Sequence, residues 1–277
     1  MNPAAPSSSE IEATIQGLLS ALPEPYATEA RSFALPVTLA KPFRSLQTIA
    51  PDVTCLSGAA LLAAGESWPA RDGKPLTFLA RINFADLPAT PFQHPAHGAV
   101  EIFFDTANSP WGHEAADADG HALFFHPDTS GLKPALAPGS GPHPPLRKPL
   151  AFSQVPEFTP SSNFEDRYQE LLDALDDVSG ETVDDFYQTL SELQFGEGHR
   201  VLSLPLAIQS DMDGDLADAA RVRGLPEDTP WTLLLQLDSD PTLNWSWGDS
   251  GYLYFWVPTA DLAAGRFDRS WVVLQCN

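Results

Sequence analysis

Trp231-Thr-Leu-Leu-Leu-Gln-Leu-Asp238, then Trp245-Ser-Trp247-Gly-Asp249-Ser-Gly251-Tyr-Leu-Tyr-Phe-Trp-Val257, then Trp271-Val-Val-Leu-Gln275 is the stretch on which the fold turns. Each apolar run is rich in β-branched, aromatic and leucine residues, and each is bounded by Trp, Asp, Ser or Gly. That is the composition of short, well-buried strands joined by turns. Asp261-Leu-Ala-Ala-Gly-Arg-Phe267 forms a short link between the last two runs.

A looser copy of this block lies about 150 residues upstream. Pro75-Leu-Thr-Phe-Leu-Ala-Arg81-Ile-Asn83 aligns with the run ending at Asp238. Gly98-Ala-Val-Glu-Ile-Phe-Phe104 aligns with the run starting at Gly251, and His121-Ala-Leu-Phe-Phe125 with the run starting at Trp271. Repetition of strand, turn-rich loop, strand, link and strand in one order indicates an internal duplication. A small antiparallel sheet has one oily face, and two such faces packed together make one core. The expected fold is therefore α+β and predominantly antiparallel β: two repeated sheet units packed on a shared core with flanking helices.

Apolar spacing supplies the helices. Ile11, Ile15, Leu18, Leu19 and Leu22 fall on one helical face between Ser9 and Pro23. Acidic amphipathic helices are expected near 164–175 and 183–193. Pro36–Lys41 reads as a strand, Ala151–Phe158 as an edge strand and Val201–Gln209 as a strand or extended loop. Residues 127–149 carry seven prolines and three glycines, so they read as a connector with little regular structure. The expected organisation is an N-terminal helical segment (1–30), a first β repeat (31–126), a Pro-rich connector (127–150), and helices with a second β repeat (151–277), the two repeats forming one compact unit.

Composition excludes several classes of function. The chain holds 15 Lys+Arg against 37 Asp+Glu, a net charge of −22, which argues against a nucleic-acid partner. The acid is concentrated in residues 157–240, with 20 Asp+Glu and 4 Lys+Arg. Such a face either solvates the protein or attracts a basic partner. No apolar run reaches the roughly 20 residues of a membrane span, and the opening Met-Asn-Pro-Ala-Ala-Pro-Ser-Ser-Ser has no signal-peptide character. Cys55 and Cys276 make no disulfide framework and read as small apolar residues of a cytoplasmic protein, a single disulfide remaining open.

The closing motifs resemble the YwqG-like family of bacterial proteins of unknown function. They are W-x-L-L-L-Q-L-D-S-D at Trp231–Asp240, W-G-D-S-G-x-L-Y-F-W at Trp247–Trp256, and D-L-A-A-G-x-F-x-x-x-W-x-x-L-Q-C at Asp261–Cys276. Trp68-Pro69, Phe103-Phe-Asp105, Trp111-Gly112 and Asp119-Gly120 fit more loosely in the first half. Arg81 stands where the family usually has Gln, and Leu202-Ser-Leu-Pro205 where it has a Gly-rich G-G-x-P. The resemblance implies a duplicated, mostly antiparallel β structure and no reaction.

Motifs for chemistry are weak. Gly248-Asp-Ser-Gly251 copies a serine-protease nucleophile motif, but no accompanying His block is present, and it reads as a turn. Asp211-Met-Asp213-Gly-Asp215 and Asp117-Ala-Asp119-Gly-His121 are partial calcium loops that lack the central Gly, so they too read as Asp/Gly turns. Six of the seven histidines lie between His94 and His143 without metal-ligand spacing. No metal site, cofactor motif or catalytic residue is therefore expected. The remaining candidate binding residues are Gln209, Asp211, Gln236, Asp238, Trp245, Trp247 and Asp249, in which indoles, amides and acids would suit a cation, a basic side chain or a sugar. Two readings follow. One is a non-catalytic binding or immunity-type protein whose acidic surface recognises a basic, toxin-like partner. The alternative is a small-molecule binder or enzyme using a Trp/Asp/Gln cleft in the C-terminal repeat.

Overall fold

The computed structural model describes residues 35–43, 50–157 apart from 142 and 144, and 198–277, with positions 13 and 17 besides. The helices expected at 164–175 and 183–193, and the rest of the N-terminal one, lie outside the described residues.

Among the described residues, ten strands form one antiparallel sheet. In chain order they are β1 (Leu35–Pro42), β2 (Cys55–Leu56), β6 (Thr77–Asn83), β7 (Ala99–Phe104), β8 (His121–His126), β10 (Lys148–Glu157), β11 (His199–Val201), β12 (Trp231–Asp238), β13 (Tyr252–Pro258) and β14 (Trp271–Gln275). Across the sheet the order is β14-β13-β12-β11-β1-β10-β2-β6-β7-β8. Two small ribbons lie apart from it: β3 (Ala60–Leu62) with β9 (Lys133–Ala135), and β4 (Ala70–Arg71) with β5 (Lys74–Pro75). The described helices are α1 (Asp213–Val222) and the single-turn α2 (Thr259–Ala263), with 3₁₀ turns at Phe84–Asp86 and Ala115–Asp119. The described fold is thus dominated by antiparallel β, with less helix than an α+β reading anticipates.

Two expectations about strands need correction. The repeats are not separate sheets. β1 and β10 pair over their whole shared length, and each also pairs with a short strand of one unit, β11 or β2, which joins the units edge to edge. Residues 148–157 are therefore a central strand rather than an edge strand. β2 pairs with β10 only at Lys148 and Pro149, and among the described residues no strand pairs with the later part of β10 on that side, where a proline removes no ladder bond. The Pro-rich connector also contributes β9, paired with Ala60–Leu62.

The two four-strand units match in detail. Cys55 faces Arg81 in the first unit as Arg200 faces Gln236 in the second. Each unit carries one irregularity in its long strand, at Leu79 between Phe78 and Ala80 and at Leu234 between Leu233 and Leu235. A bulge puts two successive residues on the same side. Hence Leu79 and Ala80, like Leu234 and Leu235, all point into one core. The carbonyl that each bulge leaves unpaired accepts from a residue of left-handed backbone, Ser57 N at 2.7 Å and Leu202 N at 3.1 Å. The register also shifts the third pair by one residue, so that His126, not Phe125, occupies the position of Gln275.

The inner faces share one core, in which Leu79, Ile102 and Phe104 of the first unit meet Leu234, Phe255 and Leu274 of the second. The outer face of the first unit is covered by the β3–β9 ribbon and Trp68, and that of the second by Met212, Leu216 and Ala219 of α1 and the segment before it. The sheet curls until its ends approach. Leu274 N donates to Trp111 O, Trp271 Nε1 to Gly112 O (both 2.9 Å), and His121 Nε2 lies 3.1 Å from Ser270 O. Gly112, at φ +87°, is required there, because a Cβ would sit 2.0 Å from Val272 O.

Candidate functional site

The same outer-face position carries different chemistry in the two units. In the first, Arg81 and Glu101 are opposed across β6 and β7 and almost completely buried. Their contacts are bidentate, with Nε to Oε1 at 2.5 Å and Nη2 to Oε2 at 3.1 Å. Arg81 also donates to Pro51 O (2.7 Å) and Ala59 O (3.1 Å), and Leu61 N donates to Glu101 Oε2 (3.0 Å). The pair therefore ties the covering ribbon to the sheet and has no donor left for a ligand. Burial, opposed by Arg81, pushes the nearby Cys55 thiol up to about 11, so it is inert as a nucleophile at neutral pH. Cys55 and Cys276 are both free.

In the second unit, Gln236 and Tyr254 replace that ion pair. Gln236 Oε1 accepts from Leu206 N at 2.8 Å, and the Tyr254 hydroxyl donates to Leu206 O at 2.6 Å. Gln236 Nε2 is buried without a hydrogen bond among the described residues. Gln275 continues this clamp, its Oε1 accepting from Ile208 N at 3.1 Å and its Nε2 donating to Ser210 O at 2.9 Å. These amides fasten the segment after β11 across the sheet.

The residues expected to form a binding cleft divide between two faces of β12. Gln236 and Asp238 share the outer face. Trp245 and Trp247 are buried in the shared core with ring centroids 5.7 Å apart, and Trp247 meets Phe104 edge-on at 6.0 Å. Trp247 Nε1 donates to Asp238 O at 3.1 Å. Asp249 is exposed in the turn entering β13, whose Gly251 N donates to Trp247 O at 2.7 Å; this is the Gly-Asp-Ser-Gly motif. Gln209 and Asp211 are exposed, Asp211 Oδ1 accepting from Asp213 N at 3.2 Å. The structure thus brings Gln236 and Asp238 together and sets the two indoles behind them on the other side of the sheet.

Asp211–Asp215 is also not the turn expected from its Asp/Gly composition. Asp213 opens α1, and acids in its first turn suit the positive end of the helix. Among the described residues no group of three His, Cys, Asp or Glu side chains is placed to hold a metal ion. No described helix is long and apolar enough to cross a membrane.

A different face gathers exposed aromatic and acidic groups. The loop of residues 105–120 crosses to β14 and packs beside α1. On it Trp111 is 42% exposed and stacks on His113 with centroids 6.2 Å apart, and His113 Nδ1 meets Asp215 Oδ1 at 2.8 Å. Glu114, Asp117 and Asp119 on the loop, and Asp211, Asp213, Asp215 and Asp218 on or beside α1, make this region strongly acidic. Beside it opens a cleft of about 530 Å³ between the β4–β5 hairpin and the loop, lined by Arg71, Asp72, Asp119 and His121 among others. Arg71 Nη2 donates to Ala116 O at 2.7 Å, and Arg71 Nη1 lies 3.4 Å from Asp105 Oδ2. Arg71 and His113 carry no functional signal in the sequence, and Trp111 stands there only in a loose family match. Only the loose Trp-Gly and Asp-Gly matches marked this loop, and nothing local shows that it docks on a strand more than 150 residues away.

The family model described as a domain of unknown function (DUF1963) matches residues 54–276. The chain belongs to the DUF1963 family. The DUF1963 span takes in both four-strand units and begins after β1, although β1 lies in the middle of the sheet. No curated protein matches this DUF1963 chain.

Proposed function

We propose that this chain is a non-catalytic binding protein of the immunity type, a YwqG-like DUF1963 protein built from two copies of one sheet unit, whose acidic face recognises a basic protein in the bacterial cytoplasm. The observation that carries the reading is Trp111, a large aromatic side chain left 42% exposed within the carboxylates of the 3₁₀ turn and α1. Exposed indoles ringed by charge are typical anchors of protein interfaces. A field of one sign speeds capture of an oppositely charged partner and makes the rate sensitive to salt. The packing of Trp245 and Trp247 inside the core, on the far side of β12 from Gln236, weighs against the small-molecule alternative.

The test is affinity capture with the product of the adjacent gene. The wild type should retain a basic partner. A variant with Asp213→Lys, Asp218→Lys and Trp111→Ala should lose it, and the association rate should fall steeply between about 50 and 300 mM salt. Equal capture by wild type and variant refutes the proposal.

A further inference from the structure

The cleft beside the acidic face contains a detail that the binding reading does not require. His121 lines it, is 8% exposed, and begins β8. Its Nε2 lies 3.1 Å from both the main-chain oxygen and the hydroxyl of Ser270. A carbonyl oxygen only accepts, so Nε2 carries the proton and Nδ1 presents a lone pair. Nδ1 makes no hydrogen bond among the described residues. Burial, reinforced by the Arg223 charge, lowers the His121 pKa to about 3, so the ring stays neutral and the lone pair stays available at physiological pH.

The rest of the lining has the same bias. Asp72 and Asp119 are exposed carboxylates at the cleft. Asp72 is held by the left-handed backbone of an Asp-Gly hairpin turn, with φ of 50° at Asp72 and 74° at Gly73. Arg71, the cation of the lining, is occupied by Ala116 O and by Asp105, whose own carboxylate is fixed by Asn108 Nδ2 at 2.7 Å. The site thus offers three acceptors, and both nearby guanidinium groups are already engaged, Arg71 as above and Arg223 by Ser270 O at 3.2 Å and Ala118 O at 2.9 Å. Its volume of about 530 Å³ falls within the roughly 300–1,000 Å³ of small-molecule sites.

We infer that this cleft receives one cationic side chain, an ammonium or guanidinium group from a basic protein segment, with His121 Nδ1, Asp72 and Asp119 as its acceptors. The inference rests on the acidic-face reading and gives that face its anchoring pocket. It is tested on the full chain by titrating N-acetyl-arginine amide and N-acetyl-lysine amide while following the His121 ring resonances by NMR, with acetate at equal concentration as the anionic control. The expected result is a saturable shift with at least one of the two cations and none with acetate, weakened tenfold or more in Asp72→Asn with Asp119→Asn. Both of those side chains are exposed, so their fold should survive, which the amide spectrum verifies. The stronger of the two probes identifies arginine or lysine as the preferred donor. A shift with acetate, no saturable shift with either cation, or unchanged affinity in the double variant overturns the inference. The α1 variant with Asp213→Lys and Asp218→Lys separates the two proposals. It should keep the small-probe affinity while losing protein capture; failure of the wild type to capture a partner while it still binds the probe counts against the face alone.

Discussion

Replacing Glu101 by Gln strands the guanidinium of Arg81 inside the first unit. Arg81 and Glu101 are 1% and 0% exposed, so neither charge can turn to water. Breaking a buried pair by removing one partner costs about 3–5 kcal/mol, and Arg81→Met should cost a similar amount by stranding the carboxylate. The double variant, Arg81→Met with Glu101→Leu, removes both charges. What it loses is the partners of Leu61 N, Pro51 O and Ala59 O. At about 1 kcal/mol each, that comes to roughly 3 kcal/mol. The two single effects should therefore exceed the double by roughly 3 kcal/mol or more, a large coupling by the standard of such cycles. Urea unfolding at pH 7, followed by tryptophan fluorescence, measures all three. In thermal melts each single variant should fall by about 6–20 °C, at about 2–4 °C per kcal/mol for a chain of this size. Single effects below about 1 kcal/mol, or effects additive within about 0.5 kcal/mol, would refute the claim that this pair fastens the ribbon to the sheet.

Acid should destabilise the fold well before carboxylates titrate. Burial lowers the pKa of His121 to about 3 and that of His199 to about 4, each from an ordinary 6.5. Below pH 6.5 the unfolded chain binds protons that the folded chain refuses, so stability present above that pH is lost as pH falls toward 4, by up to about 1.4 kcal/mol per pH unit for each histidine. Denaturant melts between pH 7 and 4 should show this slope, and replacing both histidines with Gln should flatten it. Asp261→Asn, which removes the carboxylate shared by Arg266 and Arg269 at 2.6 Å each, should cost about 1–3 kcal/mol in urea unfolding, limited because both arginines reach solvent. Gly112→Ala drives a Cβ onto Val272 O and should release the loop of residues 105–120 from β14, measured as faster amide exchange at Leu274 and a stability loss of about 2–4 kcal/mol.

Local signals were enough for the long strands of the two units. Trp231–Asp238, with leucines between turn residues, and His121–His126 start and end as their composition suggests. The order of three such runs, repeated, also announced that two oily faces would meet. Where local signal and structure part, the deciding contact is distant. Asp213-Gly-Asp215 has turn composition, yet α1 forms because Leu216 and Ala219 are buried against Tyr254 and Trp271 of the sheet. Residues 148–157 carry the prolines of an edge strand but sit centrally, because β1 supplies a complete partner and β2 asks for only two residues.

The candidate sites divide in the same way. Gln236 and Asp238 share a face of β12 because strand side chains alternate, a rule that needs no tertiary information. Trp245 and Trp247 were indistinguishable from ligand-facing indoles until the first sheet unit supplied Phe104 as a neighbour of Trp247. The acidic face exists only because the loop carrying Trp111 crosses to β14 and meets α1. Alternation, turn chemistry and the repeated order of apolar runs are legible along the chain, so the sequence alone determined the long strands of both units, their order along it and the bulk acidity. Which side chains lie inside and which converge on a cleft depends on surfaces brought together from residues as far as 159 positions apart, and only the tertiary structure decided it.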